Sequence, residues 1–194
     1  ATSRRDFTIN SIGFDIINKE ILDPYNGQKD IKNKILRAVN LHTFSEDPLR
    51  VLRAVGFAAR FHFTLERELF TLCKKMCESN VLDELPQERI YTEIKKILLK
   101  TQKPSLAFLL LKELNALKYF YPLNLLSLKN LTQTIESLDT YVKFKTNDDK
   151  TDIVIMLSIL CYSFKIKDTK TFITKLTNNK NILYCSFCGK SQHE

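Results

Sequence analysis

The spacing of apolar positions changes after Val39. Before that point short apolar groups alternate with turn residues; beyond it apolar positions recur at helical intervals. A short apolar segment opens residues 7–17 and runs into Ile12-Gly13-Phe14-Asp15-Ile16-Ile17. Asn18-Lys19 reads as a tight turn, and Glu20-Ile21-Leu22-Asp23 as the returning strand of a hairpin. Asp23-Pro24-Tyr25-Asn26-Gly27 is a turn-rich break, and Leu36-Arg37-Ala38-Val39 one more short extended piece. From Pro48 to Phe61 the residues Leu49, Leu52, Val55, Phe57, Ala59 and Phe61 form a broad stripe of helical period. Pro48 is tolerated in the first turn, where its missing N–H has no intrahelical partner to lose. The same reasoning predicts helices over 66–79, 87–100, 104–114, 128–144, 150–163 and 168–178, separated by loops such as Lys145-Thr146-Asn147-Asp148-Asp149. The expected fold is mostly α: a small β-containing edge followed by an irregular helical body, with no internal repeat.

Composition supports that reading and narrows the partners. The 194 residues are 44% hydrophobic, enough to bury a core, and four glycines with five prolines argue against a turn-rich all-β fold. Lys and Arg number 30 against 22 Asp and Glu, a net charge of +8 and a pI near 9.2. That balance favours polyanions such as RNA or DNA, and equally describes a well-solvated basic protein. No apolar run approaches the roughly 20 residues of a bilayer span, and no signal-peptide pattern is present. The five cysteines, Cys73, Cys77, Cys161, Cys185 and Cys188, are odd in number and irregular in spacing. They make a poor disulfide framework and fit a reducing, cytoplasmic compartment.

Two charged clusters carry candidate chemistry. Asp47 and Arg50 stand three apart, on one side of a helix. A carboxylate accepts hydrogen bonds and a guanidinium donates them. Together they meet an edge offering an amino donor beside a ring-nitrogen acceptor, the Watson–Crick pattern of cytosine and adenine. Guanine and uracil offer a carbonyl beside an N–H, the opposite polarity. Unpaired buried polar groups cost about 1–3 kcal/mol each, so the pair is suited to accept C and A and reject G and U. The bland alternative is an i,i+3 surface salt bridge worth under about 1 kcal/mol. Arg53, another three residues on, can reach a phosphate from the same face or pair with a carboxylate. Arg4-Arg5-Asp6 supplies two cations for a triphosphate and a carboxylate for a sugar hydroxyl, or is a charged surface turn.

Three longer stretches place these clusters in a framework. They are Arg4-Arg5-Asp6-Phe7-Thr8-Ile9-Asn10, the segment Ile21 to Ile31, and Glu46-Asp47-Pro48-Leu49-Arg50-Val51-Leu52-Arg53-Ala54 with Phe57-Ala58-Ala59-Arg60-Phe61. Their order and register resemble the class II tRNA nucleotidyltransferases, the CCA-adding enzymes, which share this framework with bacterial poly(A) polymerases. Pro86-Gln87-Glu88-Arg89-Ile90-Tyr91-Thr92-Glu93 is similar to the family's Glu-Arg-Ile/Val-x-x-Glu helix, and Lys103-Pro104-Ser105 to Leu117 to the helix leading into its body. The resemblance covers residues 1 to about 120. It implies the end of a nucleotidyltransferase head at 1–30, a helical neck that recognises the base at 31–100, an RNA-binding body at 101–180 and a tail at 181–194. It further implies that Arg5 contacts the triphosphate with Arg4 in support, and that Asp6 meets the ribose 2′-OH. Asp47 and Arg50 pair with CTP or ATP, Glu46 flanks them and Arg53 holds phosphates. Residues 23–31 form a hinge, and Glu88, Arg89 and Glu93 brace the neck. The implied reaction adds C, C and A to tRNA 3′ ends with Mg²⁺. Alternatives are a poly(A) polymerase, an enzyme adding only CC or only A, and a non-catalytic nucleotide- or RNA-binding module.

The chain departs from the family pattern in places. Gly56 stands where the family usually carries an arginine. The Gly-x-Asp-x-Asp motif that holds two Mg²⁺ ions in the family is expected upstream of Ala1, so no catalytic residue is assigned within the chain. The chain is therefore expected to start inside the head and to bind better than it catalyses. Near the end, Leu183 to Gln192 resembles the first half of the zinc-binding N-terminal domain of Clp-family unfoldases. Cys185 and Cys188 supply a Cys-x₂-Cys knuckle and His193 a distant third candidate, but no second Cys-x₂-Cys follows. Cys73 and Cys77, one helical turn apart, read as packing. Phe57, Phe61, Phe63, Phe108, Tyr119, Phe120 and Tyr121 read as core rather than base-stacking platforms. Lys95, Lys96, Lys100 and Lys103 form a basic run that can follow an RNA backbone or cap a helix end.

Overall fold

A computed structural model describes residues 4–146, 148–179 and 182. In the N-terminal edge, β1 (Gly13–Asp15) pairs antiparallel with β2 (Glu20–Leu22), Phe14 facing Ile21. The strand ends earlier than the apolar pattern predicts. The Asp15 carboxylate accepts the backbone N–H groups of Ile17 and Asn18 at 2.9 and 3.2 Å, pulling Ile16-Ile17 into the turn. Ile17 is accordingly 90% exposed.

The turn-rich break is present over residues 23–26 and leads into a helix that the sequence pattern does not predict, α1 (Gly27–Asn33). Asp23 makes it so: its carboxylate accepts the N–H groups of Gly27 and Gln28 at 2.6 and 2.9 Å, satisfying donors that a helix start leaves free. Gly27 is required by proximity, since a Cβ there would lie 2.4 Å from the Thr8 carbonyl oxygen. The buried Asp30 of α1 accepts the Thr8 hydroxyl at 2.7 Å and Arg37 Nε at 3.3 Å. Next come β3 (Ile35–Leu36) and α2 (Leu41–Ser45). β3 pairs parallel with β4 (Thr64–Leu65), while Ala38 bridges to Phe7 on its other side. Residues 35–39 thus clamp the N-terminal segment to the helical part.

The seven predicted helices are all present: α3 (Leu49–Phe61), α4 (Arg67–Glu78), α5 (Gln87–Lys100), α6 (Pro104–Glu113), α7 (Leu128–Val142), α8 (Asp149–Cys161) and α9 (Ile166–Leu176). The helix α3 packs on α5 and α6, α6 on α7 and α7 on α8, around one continuous apolar core. Phe108 and Phe120 are buried in it, and Phe57, Phe63 and Tyr119 pack on its edge. Phe61, read as core, is instead 42% exposed at the last turn of α3, with its ring against Phe57 and Phe63. Cys73 and Cys77 are buried and free; burial pushes both thiols up, that of Cys77 to about 11. Among the described residues no helix is long and apolar enough to cross a membrane.

Polar side chains lock the body helices end to end. Asp139 on α7 accepts both the N–H and the hydroxyl of Ser105 at the start of α6, at 2.9 and 2.6 Å. Lys145 donates to the Leu98 and Leu99 carbonyls near the end of α5. The buried Asp152 accepts from the Tyr141 hydroxyl (2.8 Å), the Thr146 N–H (2.9 Å) and the Thr146 hydroxyl (3.0 Å). Desolvation raises the Asp152 pKa, but these donors and Lys145 outweigh it and hold it below the usual carboxylate value. A carboxyl lowered in this way stabilises the fold above its unfolded pKa of about 3.9 and loses that contribution as pH falls through the folded value. Asp152→Ala is expected to cost about 3 kcal/mol at pH 7 and to flatten the loss of stability below about pH 4. Urea melts of both proteins between pH 3 and pH 7 measure the two effects.

Candidate functional site

The charged clusters, far apart in sequence, meet where the N-terminal segment crosses α3 and α5. Phe7 anchors the crossing, buried with its ring 5.3 Å from Phe57 and 6.0 Å from Phe44. That anchor places the neighbouring Asp6 beneath Arg53. Asp6 is 7% exposed, and its Oδ2 receives Arg53 Nε at 2.7 Å and Nη2 at 2.6 Å. The other oxygen accepts the Phe7 N–H and the Asn10 side-chain amide. Arg53 also approaches Glu93 at 3.9 Å and lies over the Phe57 ring at 5.6 Å. Glu93 is buried in turn and takes Lys96 Nζ at 2.8 Å. Asp6 and Arg53, expected to face ribose and phosphates, therefore face each other, which couples the N-terminal segment to both helices.

At the N-terminal end of α3 the second cluster forms. Asp47 precedes the helix, where its Oδ1 accepts the Leu49 N–H at 3.1 Å. Its Oδ2 receives Arg89 Nη2 of α5 at 2.8 Å, so Asp47 pairs with Arg89 rather than with Arg50. Arg50 donates from Nη1 to the Thr43 carbonyl at 2.6 Å and from Nη2 to the Arg4 carbonyl at 3.2 Å. Neither group is saturated. A carboxylate offers about four lone-pair sites and a guanidinium five N–H donors. The Asp47 side chain remains 33% exposed. Arg4 and Arg5 are exposed beside this mouth. Glu46 is exposed and pairs with His42 at 3.5 Å, and Glu88 is exposed on the first turn of α5.

The chain matches two family models: residues 2–37 match the poly(A) polymerase head domain, and residues 62–124 the probable RNA- and SrmB-binding site of polymerase A. The CCA-adding enzyme of Blochmanniella pennsylvanica (strain BPEN) is 40% identical over 168 residues, 81% of this chain and 40% of that relative. This chain belongs to the CCA-adding enzyme and poly(A) polymerase family of nucleotidyltransferases. Solved structures of the family superpose well. A tRNA-processing enzyme in an apo form gives a TM-score of 0.80 at 26% identity, covering 98% of this chain and 53% of that one. A tRNA nucleotidyltransferase complexed with a primer tRNA and an incoming ATP analogue gives 0.78 at 25% identity, covering 98% and 58%. The chain thus spans less than two thirds of the length of each of these relatives.

The described residues do not fit a magnesium centre. Among them no group of three or more His, Cys, Asp or Glu could hold a metal ion, and Asp6, Asp47 and Glu93 are each engaged by a cation. The zinc candidates Cys185, Cys188 and His193 lie outside the described residues. Sequence reasoning missed the supporting contacts of Asn10, the Thr43 carbonyl and Lys96. Lys96 carried a signal, as the i+3 partner of Glu93; the Thr43 carbonyl carried none, because backbone acceptors are anonymous in sequence.

Arg53→Met leaves the Asp6 carboxylate buried without its cation and is expected to cost about 3 kcal/mol. Combining it with Asp6→Asn should recover part of that loss. A double-mutant cycle read by thermal or denaturant unfolding measures the coupling; strictly additive losses would show that the two side chains act independently.

Proposed function

We propose that this chain supplies the base-recognising and RNA-holding part of an enzyme that adds C, C and A to tRNA 3′ ends from CTP and ATP, without a nucleic-acid template. The observation that carries this reading is the half-open pair at the mouth of α3. Asp47 and Arg50 are each anchored by a partner of their own, yet each keeps hydrogen-bonding capacity. Anchoring lowers the cost of ordering these side chains, the long Arg50 above all, when a base arrives. What remains is an acceptor beside a donor, the complement of the cytosine and adenine edges. Arg89 acts here as a positioning residue, since it fixes the carboxylate without being part of the edge.

In this proposal Arg5, supported by Arg4, meets the triphosphate. Asp6 and Arg53 hold the head segment to the neck, and Asp6 reaches a ribose hydroxyl only if that pair opens. Glu46 flanks the mouth, and Glu88 and Glu93 brace α5. The head ends near residue 30, the neck runs to about 100 and the body to about 180. The reading is supported by the curated relative's name and by the likeness to a tRNA nucleotidyltransferase bound to primer tRNA and an ATP analogue. A basic chain in which Cys73 and Cys77 are buried and free fits a cytoplasmic RNA enzyme. The described residues contribute recognition and positioning, with Mg²⁺ expected on carboxylates other than theirs.

Asp47→Ala and Arg50→Ala are each expected to reduce the preference for CTP and ATP over GTP and UTP by about tenfold, close to 1.4 kcal/mol of selectivity. Overall nucleotide affinity should fall less. Titration of the four nucleotides into each variant checks this, and an equal loss for all four overturns the assignment. Primer extension by the intact enzyme on a tRNA lacking its 3′ terminus should stop after C, C and A. Unlimited addition of A would move the reading to a poly(A) polymerase.

A further inference from the structure

Along the two helical turns of α3 from Arg53 to Arg60, about 10 Å, lies a cavity of which the nucleotide reading uses only Arg53 and Glu93. It measures about 40 Å³ and opens between α3 and α5. Its lining carries the cations Arg53, Arg60, Lys96 and Lys100 and the carboxylate of Glu93; with Asp6 on Arg53 and Asp149 on Lys100, a formal surplus of one positive charge remains. Gly56 forms part of its wall. A Cβ at that position would lie 3.4 Å from Ile97 Cγ1, so a longer side chain would press on Ile97 or enter the cavity. The glycine that departs from the family pattern is therefore what leaves this space open.

A second observation falls on the same cavity. Thr101, the residue that ends α5, is one of its lining residues and is 2% exposed. Among the described residues its Oγ1 is the buried side-chain polar atom with no hydrogen-bond partner. Buried hydroxyls are almost always satisfied, and leaving one unpaired costs free energy, so this atom calls for an acceptor or donor that the chain does not provide. Lys96 and Lys100 are half exposed, in ion pairs with Glu93 and Asp149, and the exposed Arg60 rests on the Phe61 ring at 5.3 Å.

The geometry points to a subsite for one phosphoryl group, and specifically for a backbone phosphate of an RNA lying across the neck. The lining brings a guanidinium, two ammonium groups and a hydroxyl-bearing residue to one cavity, a set that suits an anion with several acceptor oxygens. The cavity is far smaller than the roughly 300–1,000 Å³ of a small-molecule site. A ligand therefore inserts phosphate oxygens while the rest of it stays outside, as a polymer running over the surface does. The choice of RNA over a free nucleotide rests on the proposed function; the phosphoryl site itself does not.

The test uses the whole chain and the variants Thr101→Val, Arg60→Gln and Lys100→Gln. Inorganic phosphate should raise the melting temperature of the unsubstituted protein more than chloride at equal ionic strength, and that increment should shrink in every variant. Thr101→Val keeps shape and removes only the hydroxyl, so without phosphate its melting temperature should be unchanged or higher. An RNA hairpin with a single-stranded 3′ end should bind Arg60→Gln with a log K against log salt slope reduced by about 0.7–0.9, the loss of one phosphate contact. CTP affinity should stay the same. If CTP affinity falls and RNA affinity does not, the subsite takes a nucleotide phosphate and the RNA assignment is overturned. If the unsubstituted protein binds no RNA, the proposed function fails while the inorganic phosphate measurement still decides the subsite. Equal phosphate increments in all four proteins overturn the subsite.

Discussion

The Asp6–Arg53 ion pair is the contact on which the arrangement of the site depends. It joins two segments 47 residues apart, and both partners lean on further groups: Asn10 on one side, Glu93 and the Phe57 ring on the other. Removing two charges from water is costly, and their attraction offsets this only when geometry is good and remaining lone pairs are occupied. Here the guanidinium directs two N–H groups at one oxygen, and the second oxygen is filled by a backbone N–H and an amide. A pair of this kind discriminates strongly against other placements of the N-terminal segment. Its value lies in register as much as in stability.

Register matters because the candidate recognition mouth is assembled from three separate places. The Arg4 carbonyl from the N-terminal segment and the Thr43 carbonyl from α2 hold Arg50, while Arg89 from α5 holds Asp47. Sliding the N-terminal segment by one residue would remove an acceptor from Arg50, and rotating α5 would release Asp47. The apolar contacts of Phe7 with Phe44 and Phe57 supply most of the adhesion, being large and non-directional. The charged contacts then select one alignment among those that the apolar surface permits.

The face of α3 toward α5 shows the same division of labour further along. Near Arg53 the two helices are tied by Glu93, whereas at Gly56 the missing side chain leaves a small basic cavity ending at Thr101. A helix glycine costs about 1 kcal/mol relative to alanine, and alanine would fit here at ordinary contact distance from Ile97. Backbone stability and packing therefore do not require glycine at this position.

The sequence by itself determined the seven long helices, because amphipathic periodicity is a local property repeated over many residues. It also carries the motif order that marks the family. It did not determine α1, since helix formation there depends on Asp23 capping from four residues upstream and on Gly27 meeting the Thr8 carbonyl. Nor did it determine the partners of Asp47, Arg50 and Arg53. Spacing along a helix says which side chains share a face, but ionic partners are chosen among all the groups that folding brings within about 4 Å. Arg89, Asp6 and the Thr43 carbonyl enter that radius only through tertiary packing. Short-range preference wrote the elements; long-range geometry, acting on charged groups that can each pair with many others, decided which of them would meet.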